Sequence, residues 1–165
     1  MLQIGEWIGL GLAVVIVAAL VVVLVVALRA TTVRWLDMQD GVKYAWKGND
    51  GDVKRLITAF NLALECSKKH LKVPALSLAN MYVLVWPDVM IPNPNHPRII
   101  GAPEKVWGIC WGNEIWVGSS FDGLCHEICH TMLQIVGIPV TDHSKFEELG
   151  ANAAISEYVQ RLADV

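Results

Sequence analysis

The chain has 165 residues, 54% of them hydrophobic, and a formal net charge of -3. This length suffices for one domain with short accessory segments. An acidic chain without a basic run lacks the charge pattern of nucleic-acid-binding proteins, so no nucleic-acid partner is expected. The four cysteines (Cys66, Cys110, Cys125 and Cys129) lack the spacing of a disulfide framework and suit a reducing compartment.

The N-terminal part of the chain is strongly apolar. Residues 8–28 contain no charged side chain and are mostly valine, leucine, alanine and isoleucine. As a helix they would span about 31 Å, close to the thickness of the hydrocarbon core of a bilayer. A signal peptide would begin with basic residues, whereas this chain begins MLQIGEW. We therefore expect a retained single-pass transmembrane anchor over residues 1–29.

Basic residues follow this apolar segment, and only the terminal amine precedes it. Arg29, Arg34, Lys43 and Lys47 lie on its C-terminal side. By the positive-inside rule, the remainder of a membrane-anchored chain would be cytoplasmic. The part from 30 to 50 is expected to be a juxtamembrane connector, followed by a folded domain that extends to the C-terminus.

The folded domain is predicted to be α+β, with a small antiparallel or mixed sheet. Its expected elements are a helix from Asp52 to about Lys69, a strand within 72–86, a proline-rich loop over 87–103, a hairpin of 106–110 and 114–117, a helix over 124–135 and a last helix from Ser144 to about Ala163. Five prolines exclude a regular interior element from the loop. A loop of this length is often functional and could wall a substrate groove.

The predicted helix over 124–135 contains an HExxH pentad, His126-Glu127-Ile128-Cys129-His130. Histidines at positions i and i+4 lie on one face of a helix, so His126 and His130 can bind one metal ion. Glu127 projects beside them, where it can take a proton from a water on that ion. The pattern is typical of zinc peptidases, and the order of elements is that of a minimal zincin-like metallopeptidase domain.

A catalytic zinc ion needs a third protein ligand, and two residues of this chain can supply it. His143 is the only histidine after the pentad, and the intervening chain is long enough to turn back toward the metal. Glu148 is the alternative, in which case Asn152, at i+4, could hydrogen-bond the ligand. Asp142 could orient His143 or cap the last helix.

Resemblances to known families favour different third ligands. The sequence HEICH followed by DHSKF resembles the SprT-like zinc metallopeptidases, and the preceding GIC is also similar to that family. This resemblance implies three histidine ligands and Glu127 as the general base. The segment ELGANAA, which begins at Glu148, is similar instead to the third-ligand helix of gluzincins related to ImmA. The third ligand therefore stays open between His143 and Glu148.

In zincin-like folds, the strand beside the active-site helix can bind an extended substrate by strand addition. We therefore expect Asn113, Glu114, Ile115 and Trp116 to contact the substrate backbone. The expected function is that of a membrane-anchored zinc-dependent endopeptidase acting on proteins or peptides. The alternative is a catalytically inactive zincin fold that serves as a membrane-tethered assembly or structural component.

Overall fold

The computed structural model describes residues 14–23, 35–38, 41–47, 51–73, 81–139 and 143–165. The chain divides into two compact units, Met1–Val33 and Arg34–Val165. In the first unit, residues 14–23 are helical, and all of them are exposed.

The prediction of a transmembrane anchor is wrong for the part of the chain that the structure describes. None of the helices there combines the length and the apolar character that crossing a bilayer requires. The predicted cytoplasmic location was inferred from this anchor, so it is corrected together with the anchor. The rest of the predicted anchor lies outside the described residues.

A mixed sheet forms the centre of the described part of the second unit. Its strands are β1 (Leu36–Asp37), β2 (Lys43–Trp46), β3 (Tyr82–Trp86), β6 (Gly108–Trp111) and β7 (Glu114–Gly118). They are arranged in the order β1-β2-β3-β7-β6, in which β2, β3 and β7 are parallel, and β1 and β6 are antiparallel to their neighbours. The α+β class and the mixed sheet agree with the sequence prediction.

Two strands of this sheet, β1 and β2, occupy the region that was predicted to be a connector. Strand β2 pairs with β3 along its whole length, and its Tyr44 and Ala45 are buried. A strand of four residues carries little sequence pattern of its own. Its conformation depends on pairing with a strand that is distant in sequence, so prediction from the local sequence pattern missed it.

The proline-rich loop contains a short strand, β4 (Ile91–Pro92), which pairs with β5 (Lys105–Val106) in a separate two-stranded sheet. Asn93 also stabilises the loop, because its side-chain amide donates a hydrogen bond to the Pro103 carbonyl at 2.8 Å. The loop is therefore folded back on itself beside the main sheet.

Four helices complete the described part of this unit: α1 (Val53–His70), α2 (Leu124–Ile135), α3 (Ser144–Glu148) and α4 (Ala151–Leu162). As predicted, Asp52 caps α1, and its carboxylate accepts a hydrogen bond from the Arg55 amide at 3.0 Å. Helix α2 has the predicted bounds. One hydrophobic core joins the helices to the inner face of the sheet.

The predicted last helix is divided into α3 and α4. Gly150 lies between them with a φ of +88°, a left-handed conformation that ends one helix and begins the next. A Cβ atom at this position would lie 2.2 Å from the carbonyl oxygen of His70 at the end of α1. The break is therefore imposed by close packing of Gly150 against α1 as well as by its backbone conformation.

Candidate metal centre

Helix α2 separates its apolar residues from the polar residues of the pentad. Leu124, Ile128 and Met132 recur every four residues and are buried in the core. The pentad histidines lie on another face of the same helix, where His126 is partly exposed and His130 is 3% exposed. Burial of the apolar face therefore fixes the direction in which both imidazoles project.

Three histidines converge at this face. The Nε2 atom of His130 lies 3.0 Å from Nε2 of His126 and 3.2 Å from Nε2 of His143. Their ligand atoms all lie within 4.8 Å of one another, which is close enough to hold a metal ion. Two nitrogens that share a tetrahedral zinc ion at 2.0–2.1 Å are about 3.3 Å apart, so the two shorter separations fit zinc.

The structure brings His143, and not Glu148, to the pentad histidines. His143 lies at the N-terminal end of α3, whereas Glu148 is the last residue of that helix. The Glu148 carboxylate is 63% exposed and accepts a hydrogen bond from Lys145 at 2.7 Å. Asn152 is exposed on α4 and is not part of the histidine cluster. Asp142 lies outside the described residues.

Phe146 packs against all three histidines, a role that the sequence analysis did not assign to it. Its ring centroid lies 5.0, 4.4 and 5.1 Å from those of His126, His130 and His143, respectively. It is one turn after His143 on α3 and is 3% exposed. The only sequence signal for this contact was the spacing of histidine and phenylalanine in DHSKF.

Burial also sets the protonation state of the pentad histidines. It lowers the pKa of His126 to about 4, with a further contribution from His143. It lowers the pKa of His130 to about 3, with smaller contributions from the other two histidines. Both imidazoles are therefore neutral at pH 7, which is the state that binds a metal ion.

Glu127 is buried between α2 and the edge strand β6. A Cβ atom at Gly108 would lie 2.8 Å from Cγ of Glu127 and 3.1 Å from its Oε1. Burial raises the pKa of the Glu127 carboxyl to about 8, and a hydrogen bond with Cys110 opposes part of that rise. Gly108 and Cys110 thus form the surface against which this carboxyl lies.

The predicted substrate-binding strand is an interior strand of the sheet. Strand β7 pairs with β3 on one side and with β6 on the other, so its backbone cannot accept another strand. Ile115 is fully buried, and the Asn113 carbonyl accepts a hydrogen bond from the Tyr82 amide at 2.8 Å. The predicted contact of Asn113, Glu114, Ile115 and Trp116 with substrate by strand addition therefore finds no free backbone edge on β7. In the described part of the chain, the edge strand beside α2 is β6.

A cleft of about 580 Å³ opens beside Glu127. Its lining combines mainly apolar residues of the loop, of the β5–β6 segment and of α4 with the start of α2: Met90, Pro103, Lys105, Val106, Trp107, Gly108, Asp122, Gly123, His126, Glu127, Ile155 and Val159. As predicted, the proline-rich loop therefore forms one wall of a groove at the candidate site.

The two cysteines of α2 project away from the three clustered histidines. Cys125 and Cys129 are fully buried, and their sulfur atoms lie 3.6 and 3.5 Å from the Ser67 hydroxyl on α1. They are free thiols that pack between α1 and α2. Their i, i+4 spacing reflects helix packing, and they take no part in the histidine cluster.

No family model, curated protein or solved structure matches this chain.

We predict that His143 and Glu148 differ sharply in their effect on metal affinity. Loss of a residue that only supports a ligand costs about 10–100-fold in affinity, so loss of a ligand should cost at least 100-fold. His143→Ala should show this loss in a zinc titration against a competing chelator. Glu148→Ala should stay within about threefold of the unmodified chain, because that carboxylate is exposed and paired with Lys145. The opposite ranking would assign the third ligand to Glu148.

Proposed function

We propose that this chain is a zinc-dependent endopeptidase. The observation that carries the proposal is the convergence of His126, His130 and His143 beside a buried Glu127 at the wall of a cleft. Three imidazole nitrogen ligands with a glutamate next to them are the components of a hydrolytic zinc site. The SprT-like resemblance of the pentad and of the segment around His143 supports the same reaction.

The choice of zinc follows from the donor set. Imidazole nitrogens at tetrahedral separations suit zinc, whereas calcium and magnesium are bound mainly by oxygen ligands. Zinc held by the three histidines would polarise a peptide carbonyl and lower the pKa of a bound water to near 7. Three protein ligands leave one position for this chemistry.

Glu127 is the residue of this chain that would move the proton. It follows His126 directly on α2, and its carboxylate lies at the inner end of the cleft. With zinc bound beside it, this buried carboxyl would be favoured in its ionised form; it would then accept a proton from the attacking water and donate it to the nitrogen of the departing amine. Its contact with Gly108 restricts the directions in which the carboxylate can lie, so the proton acceptor is positioned before substrate binds.

An extended peptide would bind along β6. Because β6 is the edge strand next to α2, its outer backbone groups can pair with a substrate strand. The strand begins at Gly108, which contacts Glu127 and lines the cleft. A peptide added to β6 would therefore pass the Glu127 carboxylate.

The direct test is hydrolysis of unfolded protein and peptide mixtures by zinc-loaded full-length chain. Glu127→Gln should keep its zinc and lose at least about 1,000-fold of the activity, because the general base is gone while the ligands remain. Glu147→Gln, which changes an exposed glutamate of α3, is the matched control and should keep full activity. Full activity in Glu127→Gln would contradict the mechanism. Absence of hydrolysis in the zinc-loaded parent chain would favour the non-catalytic assembly role.

We also predict that Gly108→Ala impairs catalysis without releasing the metal. The added Cβ would meet Cγ of Glu127 at 2.8 Å and displace the carboxylate. A shift of about 1 Å in a catalytic group can cost up to 100-fold, so kcat/KM should fall at least tenfold. Gly112→Ala in the same hairpin has no neighbour within 4 Å of the added Cβ and should affect stability only. Equal activity in Gly108→Ala and the parent chain would show that this contact does not position Glu127.

A further inference from the structure

The cleft beside Glu127 begins at the candidate reaction centre and extends to one side of it. Glu127 and His126 contribute to its lining, whereas His130 and His143 do not. It therefore lies on the side of α2 where the helix begins, between the β5–β6 segment and α4. A peptide bound along β6 would meet this cleft next to the peptide bond that lies at the metal centre.

The walls of the cleft are mainly apolar, although they are open to solvent. Their apolar members come from the loop, the β5–β6 segment and α4: Met90, Pro103, Val106, Trp107, Ile155 and Val159. Trp107 is 48% exposed and Val159 is 46% exposed. Large apolar side chains that share one concave surface in solvent are typical of a binding site.

Two glycines in the lining of the cleft allow the start of α2 to pack closely against the β5–β6 segment. A Cβ atom at Gly123 would lie 2.7 Å from the backbone carbon of Trp107, and one at Gly108 would meet Glu127. The start of α2 therefore approaches β6 without intervening side chains. Both glycines line the cleft together with Glu127.

We propose that this cleft binds one large apolar side chain of a peptide substrate, adjacent to the bond that is hydrolysed. The inference rests on the proposed function and names the substrate class: peptides with an aliphatic or aromatic residue at this position. The cleft volume of about 580 Å³ lies within the usual range for ligand sites. The occupant is inferred from the position of the cleft. The cleft adjoins the candidate reaction centre and the edge strand along which the peptide backbone would lie.

Binding can be measured apart from hydrolysis. The probes are acetylated peptide amides, Ala-Ala-Xaa-Ala-Ala, in which Xaa is glycine, alanine, leucine or phenylalanine. Full-length Glu127→Gln chain loaded with zinc is titrated with each peptide by calorimetry. Burial of a leucine or phenylalanine side chain should strengthen binding at least tenfold relative to glycine.

The same titrations on two further variants assign the preference to the cleft. Val159→Lys, added to Glu127→Gln, places a charge in the apolar wall and should abolish most of the tenfold preference. Val165→Lys is the matched control, because Val165 is a partly exposed valine that does not line the cleft. It should retain the preference. Equal binding of all four peptides, or an unchanged preference in Val159→Lys, would overturn the inference.

Cleavage of the same peptides by the parent chain separates this inference from the proposed function. Mass spectrometry of the products should show a cut next to leucine or phenylalanine and little cleavage of the glycine peptide. Cleavage without an apolar preference would overturn the inference and leave the peptidase assignment standing. An apolar binding preference without any hydrolysis would support the cleft assignment and overturn the peptidase assignment.

Discussion

Helix α2 packs so closely against strand β6 that neither Gly108 nor Gly123 has room for a side chain. This packing buries the apolar face of α2, where each fully buried leucine, isoleucine or methionine contributes about 1.5–3 kcal/mol. It also directs the polar residues of the pentad toward β6 and α3. The positions of the pentad histidines, of Glu127 and of the cleft all depend on this contact.

Burying polar groups costs free energy, and this cost is the reason why the arrangement indicates a functional site. A carboxyl at 6% exposure and an imidazole at 3% exposure are unfavourable without partners or a role. In His130 this cost keeps the ring neutral, which is the form that can bind a metal ion at pH 7. The ring of Phe146 supports the three imidazoles from the opposite side, so the cluster is held by packing from both α2 and α3.

Much of the site could be predicted from sequence because its strongest signal is local. The i, i+4 histidines and the apolar period of α2 lie within one helix, and its bounds were predicted correctly. The third ligand could not be decided, because it depends on how the chain turns between α2 and α3. The interior position of β7, the strand β2 and the break at Gly150 likewise depend on distant partners. The transmembrane prediction was based on apolar composition, and none of the helices in the described part of the chain is long and apolar enough to bear it out.

The central claim is that three histidines of this chain form one metal centre with an open position. X-ray absorption at the zinc edge, on full-length chain loaded with one equivalent of zinc, tests this most directly. We predict three imidazole nitrogens and one water oxygen, all at about 2.0–2.1 Å. A sulfur neighbour at about 2.3 Å would contradict the account, since the cysteines of α2 are buried against Ser67. A spectrum with fewer than three imidazole ligands would contradict it equally.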